Sequence, residues 1–294
     1  MNNLAGTGAN WVGVLVTWYQ ANATSTTIAP DALKTPTDEA LTYAVQQLHA
    51  RGLKVMLKPH VDAADGSWRG QFNPSDPSAW FDTYKAFITH YAEVADTLAA
   101  EGIVVGTEYK LLSGAANQTR WLAVIANIRS KYSGLLTYAA NASGPGDEFS
   151  QVSFWEALDL VGLNAYFPLT NSESPGLDEA ASAWTRNVNG DNLVQLVEDV
   201  QIANNKPVLF TEIGYRSVKG ANKQPWEWQS AAPYDSTEQA NCYEAFFEVW
   251  SQCASWMKGA FWWDWPILPP TPSDTGYTPQ SKSASQVLAK WFGA

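Results

Sequence analysis

The residues best suited to chemistry are two glutamates, Glu108 and Glu212, each closing a short apolar run. Val104, Val105, Gly106 and Thr107 lead into the first, and Val208, Leu209, Phe210 and Thr211 lead into the second. Glu101-Gly102 introduces one run and Asn205-Lys206-Pro207 the other. Short β-branched runs bounded by turn residues read as buried parallel strands. An acid at the last position of such a strand sits where a barrel presents its reactive groups, at the C-terminal face. Two carboxylates held there on separate strands are the minimum for glycoside hydrolysis, one as acid/base and one as nucleophile or base. One strand-ending glutamate is as readily explained by capping the next helix or pairing with an arginine. Two in the same local pattern favour chemistry.

Other side chains fall into place around this pair. Lys58 and His60 alternate along one strand and so share a face, from which they could reach sugar hydroxyls or the catalytic carboxylates. A lysine in a barrel core requires a carboxylate partner. Tyr215, three residues past Glu212, and Tyr166, ending the preceding strand, compete as donors to the Glu212 carboxylate. Trp263 ends the last strand and is placed to stack on a sugar ring, with Trp18 and Trp265 flanking it. Trp68, Trp226 and Trp228 lie in strand-to-helix loops and are candidates for outer sugar subsites. Trp11, Trp80, Trp121, Trp250 and Trp256 read as core, and His49 and His90 as surface or packing residues of helices. Asp62 and Asp264 also stand near strand ends, but neither terminates its strand as cleanly as the two glutamates.

The elements that must position these residues alternate along the chain. Strands are expected at 11–19, 53–60, 103–108, 135–141, 158–166, 207–215 and 259–265. Helices are expected at 40–50, capped by Thr37, and at 77–100, 118–132, 193–204, 237–255 and 283–292. A loop covers 167–187. Strands and helices alternating at this spacing make βα units around a parallel sheet. No linker or composition break divides the chain, so a single domain over 1–294 is expected. The strands number seven, and the chain opens on the tail of a helix where a barrel would open on a strand.

Bulk properties narrow the partners. The 294 residues suit one (β/α) barrel. The 15 Trp, with 12 Tyr and 11 Phe, exceed an ordinary core's need and point toward carbohydrate, whose ring faces stack on flat aromatics. A formal charge of −11 argues against nucleic acid or an anionic membrane surface as partner and fits a neutral substrate. No apolar run is long enough to span a bilayer. Cys242 and Cys253 fall in one expected helix, about 16 Å apart along its axis, too far for a bridge. No Cys/His cluster suggests a metal, and no cofactor is implied. The opening residues have neither the basic nor the apolar region of a signal peptide, which leaves both a secreted and a cytoplasmic location open.

The chain resembles clan A glycoside hydrolases, and most closely the endo-β-1,4-mannanases of glycoside hydrolase family 113. The resemblance is carried by NWVGVLVTWYQ at 10–20, LKVMLKPH at 53–60, VGTE at 105–108, LVGLNAY at 160–166, FTEIGY at 210–215 and GAFWWDW at 259–265. In clan A the acid/base ends the fourth barrel strand and the nucleophile the seventh. The resemblance therefore implies Glu108 as acid/base and Glu212 as nucleophile. It makes the 11–19 strand the second of a TIM-type barrel and implies that strand one is lacking. The two flanking strands would then close directly, be covered by a neighbouring chain, or stay open as edges. Most clan A members place Asn just before the acid/base; Thr107 stands there, as in family 113, which leaves Asn141 or Asn164 to contact the sugar's 2-hydroxyl. The implied reaction is retaining hydrolysis of β-mannan or manno-oligosaccharides, with transglycosylation open on the same intermediate. Retention requires carboxyl groups about 5 to 5.5 Å apart and a protonated Glu108 at the start. A glucan or xylan hydrolase of the same clan, or a binding protein that has lost catalysis, remains the alternative.

Overall fold

A computed structural model describes residues 1–268, 270, 271 and 273–293. After a short helix, α1 (Asn2–Ala5), the elements run β1 (Trp11–Gln20), α2 (Asp38–His49), β2 (Lys54–Ala63), α3 (Pro77–Thr97), β3 (Gly102–Thr107), α4 (Gln118–Arg129), β4 (Leu135–Ala142) and β5 (Leu160–Ala165). Then follow α5 (Leu177–Ala183), α6 (Leu193–Asn204), β6 (Val208–Ile213), α7 (Ser236–Trp250), β7 (Met257–Trp262) and α8 (Ser283–Phe292). The strands form a seven-stranded sheet in chain order, β1 to β7. The fold is α/β, of the TIM-type (β/α) barrel class, with seven strands among the described residues.

The chain divides into two compact units. One comprises Asn10–Asn141 with Glu148–Gly162, the other Met1–Ala9, Ala142–Asp147 and Leu163–Ala294. In the first, β1 pairs with β2 in parallel over its whole length, Trp11 opposite Lys54 through Gln20 opposite Ala63. β3 continues the parallel pairing on β2 and on β4, with an irregularity between Val104 and Thr107 just before Glu108. The core of this unit is aromatic. Trp80 stacks on Tyr84 at 4.8 Å and Trp121 on Phe154 at 4.8 Å, both pairs fully buried. Gly106 is required here, because a Cβ would stand 2.7 Å from the Tyr138 ring and 2.8 Å from Trp121.

In the second unit β6 and β7 pair in parallel, and α7 packs on α5 and α8. Its core is built from Trp184, Phe210, Phe246 and Trp250, with Tyr243 stacked on Trp262 at 3.7 Å. β3, β5 and β6 are buried along their whole length, as parallel strands covered on both faces must be. β1 and β7, at the ends of the order, are mostly half-buried.

Helix starts follow the capping chemistry written in the sequence. Thr37 accepts from the Ala40 N–H, Asp76 from Ser78 and Ala79 with Pro77 at the first helical position, Asn192 from Gln195, and Asp235 from Thr237 and Glu238. Three expectations need correction. The loop expected at 167–187 contains helix α5, whose run of alanines and acids lacks the bulky apolar periodicity of a longer helix. The helix expected at 237–255 ends at Trp250 and gives way to a 3-10 turn, Ser251–Cys253. The two cysteines therefore do not share one α-helix; both are free.

Candidate active site

In the first unit, Glu108 follows directly on β3. Its backbone is left-handed, φ 59, a conformation that costs a non-glycine residue energy and is found where a side chain must be aimed. Two hydrogen bonds hold the step. The Glu108 N–H donates to the Ala139 carbonyl at 2.9 Å, and the Tyr109 N–H to the Tyr138 hydroxyl at 2.8 Å. The Glu108 carboxylate accepts from Arg69 Nη1 at 3.4 Å and, at the limit of a hydrogen bond, from Trp68 Nε1 at 3.5 Å. Arg69 is itself anchored on Asp62 by its Nε at 3.1 Å and by Nη2. Asp62 thus serves as the arginine's anchor, and the 64–76 loop after β2 brings a cation and an exposed indole to the end of β3.

Lys58 and His60 lie on the same face of β2 as Asp62, and both are buried. Burial, with the positive charges of Arg69 and Lys58 adding to it, holds the His60 imidazole well below its ordinary range, so the ring is neutral near pH 7. Its Nε2 has no hydrogen-bond partner among the described residues. Asn141, near the end of β4, donates from its backbone N–H and from Nδ2 to Glu148, both at 2.9 Å.

In the second unit, Glu212 is the fifth residue of β6, which runs one residue further to Ile213. Its carboxylate accepts the Tyr166 hydroxyl at 2.9 Å. Tyr166 follows directly on β5, and its ring meets Tyr277 edge-on at 6.4 Å. The neighbouring pair is tied as well, with Thr211 Oγ1 donating to Asn164 Oδ1 at 2.9 Å. Trp263 is joined to the end of β6 by its N–H, which donates to the Ile213 carbonyl at 2.8 Å. Gly214 permits this approach, since a Cβ there would stand 2.7 Å from the Trp263 carbonyl oxygen. The loops beyond are pinned by Lys282, whose buried ammonium donates to Ser217 Oγ at 2.7 Å and to Asp274 at 2.9 Å. Burial pushes this lysine down and Asp264 up from their ordinary values.

Residues 1–279 match the model of Glycoside Hydrolase Family 113. The chain belongs to glycoside hydrolase family 113. Among solved structures, the GH113 beta-mannanase AaManA from Alicyclobacillus acidocaldarius, determined in complex with ManMIm, is 30% identical with a TM-score of 0.87, over 99% of this chain and 89% of that one. Two further structures titled GH113 beta-1,4-mannanase, one of them a complex, are 25% and 27% identical with TM-scores of 0.85. They are matched over 99% and 98% of this chain, and 90% and 89% of theirs. A search of curated protein sequences found no match.

Within this family 113 enzyme, the residues expected around the glutamates divide. Lys58, His60, Glu108 and Asn141 lie in one unit, and Asn164, Tyr166, Glu212 and Trp263 in the other. Tyr215 does not reach Glu212. It is fully buried and lies beyond the end of β6, and its hydroxyl has no hydrogen-bond partner among the described residues, whereas the Tyr166 hydroxyl reaches the Glu212 carboxylate. Trp18, expected beside Trp263, faces α3 within its own unit. Its indole donates to the Tyr91 hydroxyl at 2.8 Å, and Gln20, two residues on, accepts from Trp80 of the same helix. The other face of β1 carries Tyr19, whose hydroxyl is raised chiefly by burial and next by the charge of Asp62. Trp265 is half-buried three residues beyond β7.

Trp80, Trp121 and Trp250 are core residues, whereas Trp68, Trp226 and Trp228 are 46%, 45% and 68% exposed. A cavity of about 430 Å³ in the loops after β5 and β6 is lined by Glu173, Arg216, Lys219, Lys223 and Glu227 among others. His49 pairs with Glu101 and His90 with Asp38. No group of three or more candidate ligands is placed to hold a metal among the described residues. Arg69 and Glu148 are the contributors that sequence reasoning passed over. Arg69 falls with Asp62, Asp65 and Trp68 in the stretch 61–76, which reads as one long loop in sequence and does not single it out, and Glu148 lies in a single 3-10 turn with no local pattern to distinguish it.

Proposed function

We propose that this chain, acting as one catalytic domain, hydrolyses β-1,4-mannosidic bonds of mannan or glucomannan with retention of configuration. Glu212 attacks the anomeric carbon and its bond to the leaving oxygen breaks as Glu108 protonates that oxygen. Glu108 then takes a proton from the incoming water, which displaces Glu212 and regenerates both carboxyls. A sugar hydroxyl in place of that water would give transglycosylation. The observation that carries the assignment of Glu212 is the Tyr166 hydroxyl on its carboxylate at 2.9 Å. Such a donor holds a nucleophile in one rotamer. At Glu108, Arg69 and Trp68 donate from the adjoining loop and fix the orientation of the carboxyl. The mannan assignment is supported by the family and by the beta-mannanase structures matched over nearly the whole chain.

Reducing-sugar release from mannan, glucomannan, cellulose and xylan tests the substrate, and proton NMR of the first-formed anomer tests retention. Glu108→Ala and Glu212→Ala are each expected to lose on the order of 10³-fold or more, since each group supplies several kcal/mol to the transition state. Equal activity in both variants and wild type would leave a binding protein. A preference for cellulose or xylan would move the enzyme to another β-glycanase class.

A further inference from the structure

Glu148 has none of its surface exposed, yet it belongs to a single 3-10 turn, Glu148–Ser150, between β4 and β5. Every hydrogen bond described to its side chain is one it accepts. Oε1 receives the Tyr138 hydroxyl at 2.6 Å, and Oε2 receives the N–H and the Nδ2 of Asn141, both at 2.9 Å. The Tyr138 hydroxyl accepts the Tyr109 N–H, so its own proton is directed at Glu148. Tyr109 is the residue after Glu108, at the step where the backbone turns left-handed. One carboxyl is therefore connected on one side to the backbone that aims Glu108 and on the other to the amide of Asn141. The Asn141 amide is also fixed in orientation, with Nδ2 toward Glu148.

We propose that Glu148 is a positioning residue for the acid/base: through Tyr138 it holds the turn that presents Glu108, and it orients Asn141 at the end of the adjacent strand. The inference rests on the reading of Glu108 as acid/base. Above about pH 7, where this carboxyl is ionised, a glutamine of the same volume cannot substitute, because its amide would set a donor against the donors of Tyr138 or Asn141. The fold maintains this carboxyl at a cost, for burial pushes it up to about 7 and the negative charge of Glu108 adds to the shift. A buried group held against its solvation in this way is expected where geometry matters more than stability.

Leaving-group acidity separates positioning of a general acid from a general structural defect. A poor leaving group needs its oxygen protonated as the bond breaks, whereas a dinitrophenolate leaves without help. The test compares kcat/KM at pH 8 for wild type, Glu108→Ala, Glu148→Gln and Tyr138→Phe on aryl β-mannobiosides with phenyl and 2,4-dinitrophenyl leaving groups, a ratio that reports the first bond cleavage and not the later attack of water in which Glu108 also acts. Glu148→Gln is expected to lose on the order of 10²-fold on the phenyl substrate, the effect of a misplaced catalytic group, and to stay within about threefold on the dinitrophenyl substrate. Tyr138→Phe should follow the same direction, and it carries the test should Glu148→Gln fail to fold. Equal losses on both substrates in these two variants, with selective loss in Glu108→Ala, would overturn the inference alone. No selective loss in Glu108→Ala would overturn the acid/base reading and the inference with it.

Discussion

Replacing Glu148 by Gln should abolish a loss of stability that the wild-type protein suffers on going from pH 5 to pH 8. The carboxyl has an ordinary value of 4.5, and burial, aided by the Glu108 charge, raises it to about 7 in the folded protein. Between those values the native state binds the proton more tightly than the unfolded chain does. Stability contributed by the proton is therefore present at low pH and lost as pH rises through about 7. The whole shift of about 2.5 units corresponds to about 3 kcal/mol, of which roughly 2.5 kcal/mol falls between pH 5 and pH 8. Urea unfolding of wild type and Glu148→Gln at the two pH values isolates this group, because the other titrating residues are common to both. The wild type should lose about 2.5 kcal/mol more than the variant, roughly 0.8 M in midpoint for a slope of about 3 kcal/mol/M. A stability difference independent of pH, or one that moves in the wild type's favour as pH rises, would refute the argument that Glu148 is buried at the expense of its charged form.

Further substitutions probe the other contacts. Tyr166→Phe removes the donor to Glu212 and should lower kcat/KM by about 10- to 100-fold, the worth of a hydrogen bond to a charged group. Tyr215→Phe should leave steady-state rates within about twofold, and a loss matching that of Tyr166→Phe would reverse the assignment of the two tyrosines. Gly106→Ala forces a methyl against Tyr138 and Trp121 and should cost about 1–3 kcal/mol, read as a lowered melting temperature. Lys282→Met removes the ammonium that joins Ser217 to Asp274. It should speed proteolysis of the loops at 216–218 and 274–276 ahead of global unfolding, and unchanged cleavage kinetics would count against that pinning role.

Much of the architecture was legible along the chain. The strand at 103–108 and the strand at 207–215 both appear, because a β-branched run between turn residues settles its own conformation locally. Helices α6 and α8 run over the residues expected for them, and α6 starts where its Asn192 cap supplies the missing acceptor. Helix α5 was not legible, since seven residues rich in alanine carry too weak a period. The candidate site was readable as residue types near strand ends: Glu108 follows directly on β3, Glu212 stands one residue before the end of β6, and Lys58 and His60 share a face of β2.

The pairing of those side chains belonged to the tertiary structure. Tyr166 and Tyr215 are equally plausible donors in sequence, but only the one 46 residues away meets Glu212. Trp18 and Tyr19 are adjacent in the chain, and the packing of α3 on β1 decides that the tryptophan faces the helix. Glu148 has no signal of its own and acquires its connection to Tyr138 and Asn141 only when β4 and the 3-10 turn after it fold together. Conformation and amphipathicity depend on neighbours within a few residues, which a sequence displays directly. Which donor reaches which carboxylate depends on side-chain face and on segments distant in the chain, and that is settled only when the core packs.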